Sequence, residues 1–135
     1  MFCYQCEQAA SGAGCAKVGV CGKQPDTSDL QDLLSETAMG VACYATKLAP
    51  ASPLFSEAGK YVVQALFTTV TNVNFNSNTV ADWIKTGVQL RDRIAAELGK
   101  DSQLPAAATF ALAADTFGMQ TQAQAFGIEE RRKQM

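Results

Sequence analysis

Four of the five cysteines in this 135-residue chain lie within its first 21 residues, and this crowding constrains the fold more than any other feature. They are Cys3, Cys6, Cys15 and Cys21, spaced C-x2-C-x8-C-x5-C. The residues between Cys6 and Cys15 are mostly alanine, serine and glycine, and Gly19 and Gly22 lie beside Cys21. Such small residues let a loop wrap closely around an object and aim backbone N–H groups at it. The sequence therefore predicts a four-cysteine loop over residues 1–26, with Lys17 and Lys23 adding positive charge beside the thiols.

Three kinds of site can use four such thiols. Disulfides need an oxidising compartment, and they would leave an odd thiol. The chain shows neither a basic, apolar signal peptide nor a membrane span, which predicts a cytoplasmic, reducing location. A zinc ion with four thiolate ligands fits the gap before Cys21 poorly. Iron–sulfur clusters commonly use irregular spacings and glycine-rich loops, so the spacing favours a cluster, while the other two alternatives stay open.

Composition excludes several other classes of function. The chain has no histidine, which excludes zinc fingers with two histidines and His-based catalytic triads. A net charge of −2 gives no electrostatic footprint for nucleic acid. Neither a Walker loop, nor a nucleotide fingerprint, nor an acid–base pair beside a nucleophile is present, so no catalytic residue is assigned.

Residues 27–135 read as an all-α bundle of three or four helices, with the cysteine loop docked at its start. In the first helix, Ser28 and Gln31 form a capping-box pattern, and Pro50 and Pro53 follow the last helical repeat. This helix is apolar nearly all round over residues 41–45, which is typical of a central helix or of one that another protein layer covers. Such a helix could also cause self-association of the chain.

Cys43 lies apart from the four-cysteine motif, within this first helix. Small cysteines in helices are commonly packing residues, so a structural role is predicted. Together with Met39 it falls outside the main apolar stripe, which suggests contact with a second layer of protein.

Two further long helices are predicted. The second covers residues 57–70, with Ser56 as its N-cap, and the third covers residues 79–98, with Gly99 after its end. The face expected to be buried in the second helix carries Val62, Leu66 and Val70. The asparagine-rich stretch TNVNFNSN between them predicts a connection, because asparagine favours left-handed and capping conformations. The alternative is a polar site built from Asn72 and Asn74.

The remainder of the chain gives weaker signals. Residues 104–114 predict irregular structure, because their alanines favour a helix whereas Phe110 and Leu112 alternate as in an extended segment. A short helix is expected over residues 115–126, ended by Gly127. The charged end, IEERRKQM, contains no glycine or proline that would signal the end of a helix.

The stretches MFCYQCEQ, GCAKVGVCGK, TSDLQDLL and TNVNFNS, in that order, closely resemble the N-terminal domain of the hybrid-cluster proteins, also called prismane proteins or hydroxylamine reductases. The resemblance is dense over residues 1–48 and 67–98, and weaker from Gly99 onward. It implies that Cys3, Cys6, Cys15 and Cys21 bind a conventional iron–sulfur cluster. In this family the compact spacing seen here goes with a [4Fe–4S] cubane, and longer loops go with [2Fe–2S].

The resemblance also implies a function. Family members pass single electrons from a redox donor protein to a hybrid iron–sulfur–oxygen cluster in later domains, which reduces hydroxylamine to ammonia or, in some members, nitric oxide. That hybrid cluster needs His, Glu and Cys ligands, and this chain has no histidine and one spare cysteine. The chain is therefore expected to be an N-terminal electron-transfer fragment, whose partners are the remaining domains and the donor. The alternatives are a standalone ferredoxin-like carrier and a structural zinc module.

Overall fold

The computed structural model describes residues 1–99 and 104–134, so the predicted domain limit at Met135 lies outside the described residues. Within these ranges the regular structure is helical, apart from one antiparallel bridge that pairs Cys3 with Cys15. The helices are α1 (Pro25–Ala45), α2 (Pro53–Val70), α3 (Ser77–Leu98), α4 (Ala106–Thr109), α5 (Thr116–Ala123) and α6 (Ile128–Gln134), with short 3-10 turns at Ala10–Gly12 and Gln124–Phe126. The predicted all-α class is confirmed.

Prolines, rather than serine caps, begin the first two helices. Pro25 and Pro53 each occupy the first turn, where the fixed proline φ suits a helix and the missing N–H costs nothing. The capping-box prediction is wrong, because Ser28 lies buried inside α1 and its backbone N–H bonds to Gln24 O at 3.1 Å. Ser56 likewise lies inside α2 and does not cap it. Pro53, which was expected only to end the first helix, therefore begins α2.

The first long helix, α1, is central to the bundle. It contacts α2, α3, α4 and α5, and most of its apolar side chains are fully buried. The chain itself supplies part of the second layer predicted over its outer side, but Met39 remains 41% exposed. Met39 and Cys43 line a groove together with the segment Pro105–Ala107 and Phe126, and Cys43 packs against the core as expected of a structural residue.

The buried face of α2 differs from the predicted one. The side chains turned inward are Ala58, Tyr61, Ala65 and Thr69. Three of the four are small, which allows α2 to approach α1 closely. Of the predicted face, Val62 is half-buried against the core, whereas Leu66 and Val70 are exposed. The exposed side chains Val63, Leu66, Phe67 and Val70 form an apolar surface that we call the α2 stripe.

Asparagines build the connection between α2 and α3, as predicted. Asn72 adopts a left-handed conformation with φ of 53°. Asn74 Oδ1 accepts a hydrogen bond from Asn76 N at 2.9 Å, and Asn76 caps α3 by accepting from the N–H groups of Asn78 and Thr79 at 3.0 and 3.1 Å. The predicted end of α3 is also confirmed, since Gly99 follows Leu98 with φ of 80°.

The last part of the chain covers one side of α1. The α4 turn packs on α1, an extended segment follows, and Asp115 caps α5 by accepting from Gly118 N at 2.6 Å. The predicted helix over residues 115–126 is observed as α5 followed by a 3-10 turn, and Gly127 ends it as predicted. Among the described helices, none combines the length and the hydropathy that a membrane span requires.

Candidate metal centre

The four cysteines of the N-terminal loop line one pocket, so the structure brings together the residues predicted from the sequence. The backbones of Cys3 and Cys15 are paired by two hydrogen bonds of 3.0 and 2.7 Å, which fix one side of the loop to the other. The pocket is small, with a cavity volume of about 30 Å³. Its other lining residues are Gln5, Gln8, Ala9, Gly19, Val20, Lys23, Val70 and Asn72.

The four thiols differ in exposure. Cys15 is buried, Cys3 is half-buried, and Cys6 and Cys21 are exposed. The 3-10 turn Ala10–Gly12 places the Ala10 N–H against the Cys15 sulfur, where it donates a hydrogen bond at 3.4 Å. A group held by all four sulfurs would therefore lie close to the protein surface, with Cys15 at its inner side.

Gly19 permits the close turn around Cys21. The turn is held by hydrogen bonds from Gly19 N to Lys23 O and from Gly22 N to Gly19 O, both 2.8 Å long. A Cβ atom at Gly19 would lie 2.9 Å from the Cys21 sulfur, closer than real Cβ contacts allow. This is the close backbone approach that the glycine-rich sequence predicts.

Asn72 reaches the cysteine pocket from the α2–α3 connection. Hydrogen bonds from the Asn72 side chain and from the backbone of Lys23, together with the positive charge of Lys23, hold the pKa of Cys21 below its ordinary value. Asn72 Oδ1 is buried without a hydrogen-bond partner, which leaves the amide N–H₂ as the bonded end of this side chain. Of the two asparagines in the alternative of a polar site, Asn72 lies at the pocket, whereas Asn74 serves the connection.

The two lysines of the loop have different environments, which the sequence did not distinguish. Lys17 is exposed, whereas Lys23 is only 2% exposed and lies in the wall of the cysteine pocket. The Lys23 Nζ atom bonds to Gln5 Oε1 at 3.5 Å, and Gln5 Nε2 donates in turn to Thr69 Oγ1 of α2 at 3.1 Å. This polar chain ties the loop to the bundle.

A metal group bound by thiolates needs free cysteines. All five cysteines, which lie in the described part of the chain, are free thiols, so the disulfide alternative gains no support. No three Cys, Asp or Glu side chains among the described residues are grouped so that they could hold one metal ion. The four sulfurs are instead distributed around the wall of a pocket. All four donors are thiols, which fits a metal group bound by thiolates.

Comparison with known families gives one match along nearly the whole chain. A sequence model of the Prismane/CO dehydrogenase family matches residues 1–134. The match includes the four-cysteine loop and every helix described above.

Several curated relatives, each named hydroxylamine reductase, align with the chain. Those from Methanocella arvoryzae and Solidesulfovibrio magneticus are 43% and 45% identical to it, each covering 96% of this chain and 24% of the relative. The relative from Zymomonas mobilis is 40% identical over 98% of this chain and 25% of its own length. The chain thus spans about a quarter of the length of the curated relatives it matches.

Proposed function

We propose a function from one premise, which is that the chain belongs to the Prismane/CO dehydrogenase family. Membership implies iron–sulfur cluster binding in general terms. The observation that carries the proposal is the convergence of four free cysteine thiols on one pocket. We infer that Cys3, Cys6, Cys15 and Cys21 hold a [4Fe–4S] cluster and that this chain is an electron-transfer domain.

The cysteine spacing supports a cluster over a single zinc ion. Zinc sites with four thiolates usually use two C-x2-C-like pairs, and the five residues between Cys15 and Cys21 do not fit such a pair. Iron–sulfur clusters commonly use irregular spacings and glycine-rich loops. In the hybrid-cluster proteins, which the chain resembles, the compact spacing goes with the cubane rather than with [2Fe–2S].

The residues around the pocket would set the properties of that cluster. When bound, an iron–sulfur cluster supplies one-electron oxidation and reduction. The Ala10 N–H and the Asn72 side chain donate toward the sulfurs of Cys15 and Cys21, and such hydrogen bonds stabilise negative charge on thiolate ligands. The exposure of Cys6 and Cys21 keeps the site near the surface, where a donor protein can approach.

We extend the proposal to the complete protein from its relatives' name, hydroxylamine reductase, and from the resemblance to the hybrid-cluster proteins. In a full-length protein of this family, this domain would relay electrons to a centre in the other domains that reduces hydroxylamine, or nitric oxide. The chain itself lacks histidine and has one cysteine outside the loop, so the catalytic ligands would come from elsewhere. This domain would then contribute electron delivery and no catalytic residue.

Metal analysis tests the cluster directly. Protein purified without oxygen is expected to contain about four iron and four sulfide per chain, with a broad visible absorption band that bleaches on reduction with dithionite. About one zinc per chain and a colourless solution would contradict the proposal and favour a structural zinc module. About two iron and two sulfide would replace the cubane with [2Fe–2S].

We also propose that the α2 stripe packs against the remaining domains of a full-length protein. Val63, Phe67 and Val70 are each more than 60% exposed, a clustering of large apolar side chains that usually marks a contact surface. The relatives have about three quarters of their length outside the region matched by this chain, which is ample protein to cover one helix face.

Because the α2 stripe is exposed, we expect the isolated 135-residue chain to self-associate. The mass of the protein, measured by light scattering, should rise with protein concentration. Phe67→Lys should raise the dissociation constant at least about tenfold, since burying a phenylalanine is worth about 1.5–3 kcal/mol. The matched control Gln89→Lys adds a lysine at an exposed position of α3, outside the stripe, and should leave the constant unchanged. A monomeric mass at all concentrations would contradict this prediction.

A further inference from the structure

Lys23 is a buried cation with few partners. Its side chain is 2% exposed, and its ammonium group contacts one amide oxygen, Gln5 Oε1, at 3.5 Å. The ring centroid of Phe75 lies 6.0 Å away, at the outer limit for a cation–π contact. Among the described residues, no carboxylate forms an ion pair with it.

A positive charge in such a place needs compensation. Removing an ammonium group from water without a counter-charge costs several kcal/mol, and one long hydrogen bond to a neutral amide does not offset that. Lysine is rarely fully buried unless it is paired. The buried ammonium group of Lys23 would therefore be stabilised by an anion nearby.

The cysteine pocket is where that anion would lie. Lys23 lines the same pocket as Cys3, Cys6, Cys15 and Cys21, within two residues of the last of them. Four thiolates outweigh the positive charge of an iron–sulfur core, so a cluster bound by them is negative overall, and it becomes more negative on reduction. A fixed cation beside it stabilises the reduced form more than the oxidised form.

We propose that Lys23 is the buried counter-charge of the cluster and that it raises the cluster's reduction potential. This inference rests on the proposed function, since it needs an anionic cluster in the pocket. Gln5 acts as the positioning residue: it holds the ammonium group on one side and bonds to Thr69 of α2 on the other. The loop, the cation and the bundle are thereby fixed with respect to one another.

A redox titration of three proteins, followed by visible absorption and electron paramagnetic resonance, tests the role of Lys23. Lys23→Met removes the charge and keeps the apolar stem, and Lys17→Met removes a charge from the exposed surface of the same loop. The midpoint potential of Lys23→Met is expected to fall by at least a tenfold change in the one-electron equilibrium constant, about 59 mV. Lys17→Met should shift the potential by less than half as much, because solvent screens its charge.

Each other outcome has a definite meaning. A cluster in Lys23→Met with the wild-type potential would overturn the inference and leave the proposed function intact. If Lys23→Met fails to retain iron, Lys23→Arg is the second variant. Retention of iron by Lys23→Arg would support the role of the charge. Loss of iron in both variants would assign Lys23 a packing role and would overturn the inference. A wild-type protein without iron would overturn the proposed function, and the inference with it.

Discussion

Cys15→Ala is expected to lose most of its iron, from about four atoms per chain to less than about one, together with its visible absorption. Cys15 is the buried member of the four proposed ligands, and the Ala10 N–H donates to its sulfur. Because solvent does not reach this position, neither water nor an added thiol can take the place of the missing sulfur. The loss should therefore persist when small thiols are present during cluster assembly.

Cys43→Ala is the matched control, because it removes the same side chain from a half-buried site in α1 that lies outside the pocket. It should keep the iron content of the wild type. Far-ultraviolet circular dichroism must show equal helix content in the two variants, so that loss of iron is not a consequence of unfolding. Full iron retention by Cys15→Ala would contradict the assignment of the four ligands.

The sequence was sufficient to choose the four cysteines, since they form a dense motif whose spacing and small intervening residues indicate one site. Their different exposures could not be predicted in the same way. Cys15 is buried because its backbone pairs with Cys3 and a 3-10 turn folds over its sulfur. Both contacts depend on the path of the loop, which spacing alone does not specify.

Asn72 and Lys23 show the limit of local reasoning about the site. Asn72 follows α2 and reaches Cys21 only because α2 packs beside the loop, so its contact depends on tertiary structure. Burial separates Lys23 from Lys17, although both are lysines near cysteines in the sequence. The link from Gln5 to Thr69 joins residues 64 positions apart, and no local pattern marks such a pair.

The long helices were predictable because they have strong apolar repeats and clear end signals, such as Asn76 before α3 and Gly99 after it. Which face of α2 is buried was not predictable in this way. An apolar repeat identifies a helix, but α2 has two apolar faces, and the face with Leu66, Phe67 and Val70 is exposed. The face with Ala58 and Ala65 is buried, because these small residues allow α2 to approach the neighbouring helix more closely.

Gly87→Ala is expected to lower the free energy of unfolding by about 1–3 kcal/mol, the usual cost of adding a methyl group to a filled core. Gly87 of α3 lies where the three long helices meet. A Cβ atom there would be 2.0 Å from the Tyr61 hydroxyl of α2 and 2.6 Å from Thr37 Cγ2 of α1. Neither neighbour can move easily, because both are buried and the Tyr61 hydroxyl donates to Trp83 O at 2.9 Å.

Gly59→Ala separates this packing effect from the general effect of alanine in a helix. Gly59 is an exposed residue inside α2, and a Cβ atom there meets nothing within 4 Å. Alanine at this position should raise the free energy of unfolding by about 0.5–1 kcal/mol, because glycine loses more backbone freedom on folding. Urea unfolding followed by circular dichroism should therefore give shifts of opposite sign for the same chemical change. If Gly87→Ala were as stable as Gly59→Ala, α3 could not approach α1 and α2 as closely as the structure shows, and the glycine would not be what permits the three helices to meet.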